Sequence, residues 1–94
     1  MDIKIFYIPQ GMCMGRVLKY DNDGADIENP TLVVTRSGSI ILVPLLDLVE
    51  EKYVSIKYSD CMFNKFFTPK NELRNQYTSI FGGIQIPQNM LDIT

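Results

Sequence analysis

The stretch Thr68-Pro-Lys-Asn-Glu-Leu-Arg-Asn-Gln-Tyr-Thr-Ser-Ile-Phe-Gly-Gly83 decides how the rest of the chain is read. A hydroxyl at Thr68 suits an N-cap, and Pro69 suits the first helical position, where a missing N–H costs nothing. Leu73, Tyr77, Ile80 and Phe81 fall at i, i+4, i+7 and i+8 and form one apolar stripe. Gly82 then offers a left-handed stop. These signals predict a helix over 68–82. Everything before it reads as strand.

Working back from the helix, Ile3 to Ile8 is a β-branched and aromatic run closed by Pro9-Gln-Gly11. Met12 to Tyr20 predicts a second strand, with Gly15 marking a bulge or strong bend. Asp21-Asn-Asp-Gly24 is a turn whose residues tolerate positive φ. A third strand follows over about Ala25 to Thr35, with Pro30 at an edge or bulge. Arg36-Ser-Gly-Ser39 is a hairpin loop. Ile40 to Val49 starts as an apolar run and becomes irregular at Pro44 and Asp47. Glu50-Glu-Lys52 is a solvated turn. Tyr53 to Ser59 alternates, with Val54, Ile56 and Tyr58 on one side. Beyond Asp60, Cys61 to Phe67 predicts the last strand. Ile84-Gln-Ile-Pro87 and a short tail follow the helix.

Ninety-four residues make one domain, too small for a deep cleft between lobes. The expected fold is mainly β: a small, strongly bent, five-stranded antiparallel barrel of the SH3-like kind with one C-terminal helix. The expected organisation is strands over 1–67, helix over 68–82 and tail over 83–94. A hydrophobic fraction of 46% is generous for so small a monomer. The strands Tyr53–Ser59 and Cys61–Phe67 carry one lysine each, and such bare edges invite pairing with another copy. A homo-oligomer built by strand addition is therefore expected; the other reading is a monomer whose helix and tail cover the edges.

The net charge of −2 gives no global basic balance, so a nucleic-acid role needs a local patch. Cys13 and Cys61 sit in apolar strand patterns and read as reduced core thiols, with a disulfide as the alternative. No histidine, phosphate-binding glycine loop or nucleophile elbow is present, and no cofactor, metal site or enzymatic activity is expected. The acidic residues Asp21, Asp23, Asp26 and Glu28 do not have the spacing of an EF-hand loop. The apolar run Ile40–Leu46 is too short to span a bilayer, and no secretory leader is read at Met1-Asp2-Ile-Lys-Ile, which predicts a cytoplasmic protein.

The Asn29-Pro-Thr-Leu-Val-Val34 run after a bent hairpin, with the ending Pro69-Lys-Asn-Glu-Leu-Arg-Asn-Gln-Tyr-Thr-Ser-Ile-Phe-Gly82, resembles the Sm-like (LSm/Hfq-type) proteins, and within them a short group carried by marine cyanophages. Gly11, Gly15 and Asp21 are similar in kind to the first Sm motif. Tyr58-Ser59-Asp60 stands where the second has an Arg-Gly turn. The resemblance implies a ring in which the fourth strand of one subunit (53–59) pairs with the fifth of the next (61–67). It also implies binding of single-stranded RNA or DNA, in the host cytoplasm if the protein is phage-encoded.

By the same resemblance, nucleotides meet Tyr20-Asp21-Asn22 and Lys57-Tyr58-Ser59. Tyr20 and Tyr58 would stack bases, Asn22 would read a base edge and Lys57 would meet phosphate, with Ser59 beside them and Arg36 as a further candidate. Taken singly, Tyr58 also reads as a core residue, Asn22 as a turn former and Arg36 as solvated surface. The competing function is a non-enzymatic interaction protein that uses the same scaffold to engage a host or phage protein.

Overall fold

The computed structural model describes residues 2–82. Five antiparallel strands form one sheet: β1 (Ile3–Ile8), β2 (Gly11–Tyr20), β3 (Gly24–Arg36), β4 (Ser39–Pro44) and β5 (Tyr53–Lys57). The order is β1-β2-β3-β4, and β5 also pairs with β3. β3 therefore serves two partners along one side. Gly24–Glu28 pairs with β5 and Thr31–Arg36 pairs with β4.

The changeover falls at Asn29-Pro30. Asn29 has a left-handed backbone with φ 52°, a conformation asparagine tolerates better than most residues. Opposite it, Gly15 alone on β2 faces these two residues of β3, because Met14 pairs with Thr31 and Arg16 with Glu28. A Cβ at Gly15 would lie 2.2 Å from Ile27 Cγ2 and 3.1 Å from the Glu28 carbonyl oxygen. Glycine is required there because the kinked strand folds over it. A second irregularity leaves Leu18 as an extra residue between the Val17 and Lys19 pairings. Two bulges in one strand pair give the strong bend.

Each face of the sheet carries its own buried cluster, while β4 leaves Ile40, Ile41 and Val43 exposed. Ile3, Ile5, Met14 and Val33 pack under the helix residues Leu73 and Tyr77. The opposite side of the strands contributes Phe6, Cys13, Val17, Ala25 and Ile27, closed by Cys61 with Ile56 and Phe66. Both cysteines are free and buried. Burial pushes both thiols up from their ordinary range.

The turns follow their local chemistry. Ser37 (φ 53°) and Gly38 (φ 82°) form the two-residue β3–β4 connection, the positive-φ pair of a type I′ hairpin. Asp21 Oδ1 accepts the N–H groups of Asp23 (2.7 Å) and Gly24 (2.8 Å) in an Asx turn, without positive φ at Asn22 or Gly24. Gly24 is needed for a different reason: a Cβ there would lie 1.9 Å from the Ile56 carbonyl oxygen. The excursion between β4 and β5 is pinned at both ends to the kink. Leu45 N–H donates to Pro30 O (2.9 Å), and Asn29 N–H donates to Lys52 O (3.0 Å).

One expected strand is corrected. Cys61–Phe67 is not a strand. Tyr58–Asp60 and Met62–Asn64 form 3₁₀ turns, and only Phe67 bridges β1, through paired bonds to Ile5 of 2.7 Å each. Cys61 is drawn inward, its Sγ 3.4 Å from Lys57 O, and Phe63 and Asn64 both turn left-handed. Among the described residues the sheet is not closed: β4 and β5 pair only with β3, and β1 carries that single bridge beyond β2.

The helix is also shorter than its sequence signals. α1 spans Asn71–Tyr77, with Lys70 rather than Thr68 at the cap and no side-chain capping bond. Thr68 Oγ1 instead accepts from Lys4 Nζ (3.0 Å), and Pro69 is buried before the helix begins. Thr78–Gly82 continues as a π turn. The wider turn keeps Phe81 beside Tyr77, ring centroids 4.7 Å apart, and leaves Ile80 exposed. The tail expected over 83–94, and any stop beyond Gly82, lie outside the described residues.

Tyr77 anchors the helix to the kink. Its hydroxyl donates toward both Glu28 O (3.0 Å) and Asn29 O (3.1 Å). Gln76 Nε2 ties the same helix to β4 through Ile40 O (2.9 Å). Among the described residues no helix is long and apolar enough to cross a membrane.

Candidate nucleic-acid interface

The end of the sheet where β2 turns into β3 gathers most of the candidate residues. Tyr20 is the last residue of β2, and Asn22 sits in the Asx turn that follows. β5 arrives beside this turn because Lys57 pairs with Gly24. The next residue, Tyr58, donates its N–H to Asp23 O (2.8 Å). Residues far apart in sequence thus become neighbours through one ladder and one hydrogen bond. Ser59 follows in the exposed 3₁₀ turn.

Two tyrosines frame the cluster differently. Tyr20 is half exposed and donates its hydroxyl to Asp2 Oδ2 (2.7 Å). Partial desolvation, then that bond and the charge of Asp2, with Tyr58 adding to them, push its hydroxyl up to about 12. Tyr58 is half-buried and rests on Phe66, ring centroids 4.9 Å apart. One side of its ring is thereby committed to the core, as its place on the apolar side of β5 predicts. Arg36 does not join the cluster. It is the last residue of β3, at the opposite end of that strand from Gly24.

The charge of this end is mixed. Lys57 is exposed, and Asp2, Asp21, Asp23 and Asp60 are exposed as well. Several carboxylates are engaged internally: Asp21 by the turn, Asp2 by Tyr20, and Asp26 by Ser55 Oγ at 2.6 Å. Arg16 is held by Glu28, with its Nε 2.7 Å from Oε1, so this cation is tied to the kink. The groups left open offer hydrogen bonding, one stacking surface and two exposed ammonium groups, those of Lys57 and of Lys19 beside Tyr20. Neither a family model nor a curated protein matches the chain. Among the described residues there is no group of three or more His, Cys, Asp or Glu able to hold a metal.

Reading 61–67 as a strand missed a second gathering of planar and cationic groups. Tyr7, Phe63 and Phe67 pack edge to face in a triangle, with centroid separations of 6.0 Å (Tyr7–Phe63), 5.6 Å (Tyr7–Phe67) and 5.8 Å (Phe63–Phe67). Lys65 Nζ lies 5.0 Å from the Phe67 ring centroid. The signal for it was Asn64, a residue suited to the left-handed region, directly after Phe63.

Proposed function

We propose that the protein is an Sm-like ring protein that binds single-stranded nucleic acid, RNA before DNA, in phage or host RNA or DNA processing or regulation. The observation that carries this reading is the convergence of Tyr20, Asn22, Lys57, Tyr58 and Ser59 at one end of a strongly bent antiparallel sheet. In this reading the bent sheet is an incompletely closed barrel of the SH3-like kind, and its free edges at β4 and β5 supply subunit contacts. Since 61–67 is not extended, β5 pairs with another exposed edge of the next copy. A ring repeats Lys57 around one axis and concentrates its charge, which offsets the acidic composition. The cytoplasm is the compartment that fits such a ligand.

The test is titration of short oligouridylate, oligoadenylate and single-stranded DNA at low and raised salt. Binding should weaken with salt, and Lys57→Ala should reduce the logarithmic salt slope by about 0.7 for each phosphate it no longer neutralises. Undetectable binding to all three at low salt refutes the reading. The exposed carboxylates around Lys57 favour the competing one, a non-enzymatic scaffold that engages a host or phage protein. In that case oligomerisation persists in native mass measurement while oligonucleotide binding is absent.

A further inference from the structure

We propose that the Tyr7–Phe63–Phe67 triangle is a second nucleic-acid contact, a platform on which an unpaired base stacks, with Lys65 and Lys70 meeting the flanking phosphates. The inference rests on the nucleic-acid reading above but on a different surface.

Phe63 is the starting point. It is 66% exposed, and its backbone is left-handed at φ 69°. That conformation is strained for a bulky residue, and glycine or asparagine would largely avoid the strain. Burial of the ring does not offset this cost, because the ring is mostly in water. Edge-to-face contact with Tyr7 and Phe67 nevertheless fixes its orientation. A rigid, open aromatic surface is the form that base stacking uses, and it accepts any base because every base has a π-face.

Two lysines flank the platform, Lys65 over the Phe67 ring and Lys70 in the adjoining groove, where Glu72 is the one opposing charge among the described residues. Beside Tyr7 and Phe67 a groove of about 390 Å³ runs to Pro69 and Leu73, and its charged lining residues are Lys70 and Glu72. That volume is at the low end of the range for small-molecule pockets, about 300–1,000 Å³. Lys65 and Lys70 are exposed, and neither enters an ion pair among the described residues. An apolar protein partner seated on the triangle would strip water from these ammonium groups without replacing it. A phosphate backbone would pair with them.

The experiment compares Phe63→Leu, Phe63→Ala, Lys65→Ala and Lys57→Ala by fluorescence anisotropy with labelled oligouridylate, alongside melting curves and native mass. Leucine keeps apolar bulk and removes the π-face. Both Phe63 variants should bind about tenfold more weakly with an unchanged salt slope, and Lys65→Ala should lower the slope by about 0.7. If wild type binds and both Phe63 variants bind within twofold of it, the platform is refuted while the nucleic-acid reading stands. Absence of binding by wild type refutes both. A loss of binding in the Phe63 variants that accompanies a change in native mass assigns the patch to a contact between copies, and overturns the proposal. Lys65→Ala with an unaltered slope removes that lysine's phosphate role.

Discussion

Tyr77→Phe tests whether the helix holds the kink in β3 through one hydroxyl. Tyr77 is 1% exposed, and its single proton is shared between Glu28 O and Asn29 O. Phenylalanine keeps the ring against Phe81 and opens no cavity, so the loss is one buried hydrogen bond. That is worth about 0.5–1.5 kcal/mol. The loss corresponds to a melting shift of about 4–8 °C per kcal/mol in a chain of this size. Asn29 O also accepts from Thr31 Oγ1 (3.0 Å), and Thr31 is fully buried. Either hydroxyl can thus be removed while the other still serves that carbonyl. Thr31→Val combined with Tyr77→Phe removes both, and the double variant should lose about 0.5–1.5 kcal/mol more than the sum of the singles. Urea unfolding of the four proteins, with unchanged m-values, measures the cycle. A Tyr77→Phe cost below about 0.3 kcal/mol, or additive singles within the usual scatter, refutes the clamp.

Gly24→Ala should cost about 2–3 kcal/mol by pushing the Ile56 carbonyl, and β5 with it, away from β3, and amide exchange should rise across Tyr53–Lys57; protection equal to wild type would sink the close-approach argument. Ser37→Asn should raise stability by about 0.5 kcal/mol, since Ser37 occupies the first left-handed position of the type I′ turn; a lower melting temperature would contradict the turn assignment. Alkaline pH should destabilise the fold. Cys13, Cys61, Tyr20 and Tyr77 all have hydroxyls or thiols pushed up, first by desolvation. Above about pH 8.5 for thiols and pH 10 for phenols the unfolded chain loses protons that the folded chain keeps, so stability falls as pH rises. A urea midpoint that stays constant from neutral pH through that window would refute it.

Much of the β-architecture was legible because each strand carries its own signal. The Ile3–Ile8 run, the Gly15 bend, the presence of a turn at Asp21–Gly24 and the Ser37-Gly38 hairpin depend on neighbours a few residues away. Cys61–Phe67 was misread for the opposite reason. Its composition suits a strand, but Cys61 is pulled into the core beside Phe6, and the two left-handed residues after it break the extension. The helix start was misplaced because Thr68 found a distant partner in Lys4. At the candidate site, Lys57 and Tyr58 join Tyr20 and Asn22 only because β5 skips past β4 to the first half of β3. Strand order of that kind is a tertiary choice, and the same choice leaves Arg36 at the far end.

The neck formed by Leu45 with Pro30 and Lys52 with Asn29 has a consequence for how this chain can be altered. Both ends of the excursion over 46–51 are fastened to one point of β3, so its length is uncoupled from the register of β4 and β5. Doubling a closed loop costs only about 0.6 kcal/mol in chain entropy. Leu48, at 97% exposure, stands at its tip. A peptide tag or a small folded module inserted after Leu48 would therefore ride outside the sheet, a natural port for labelling, tethering or the acquisition of a new specificity.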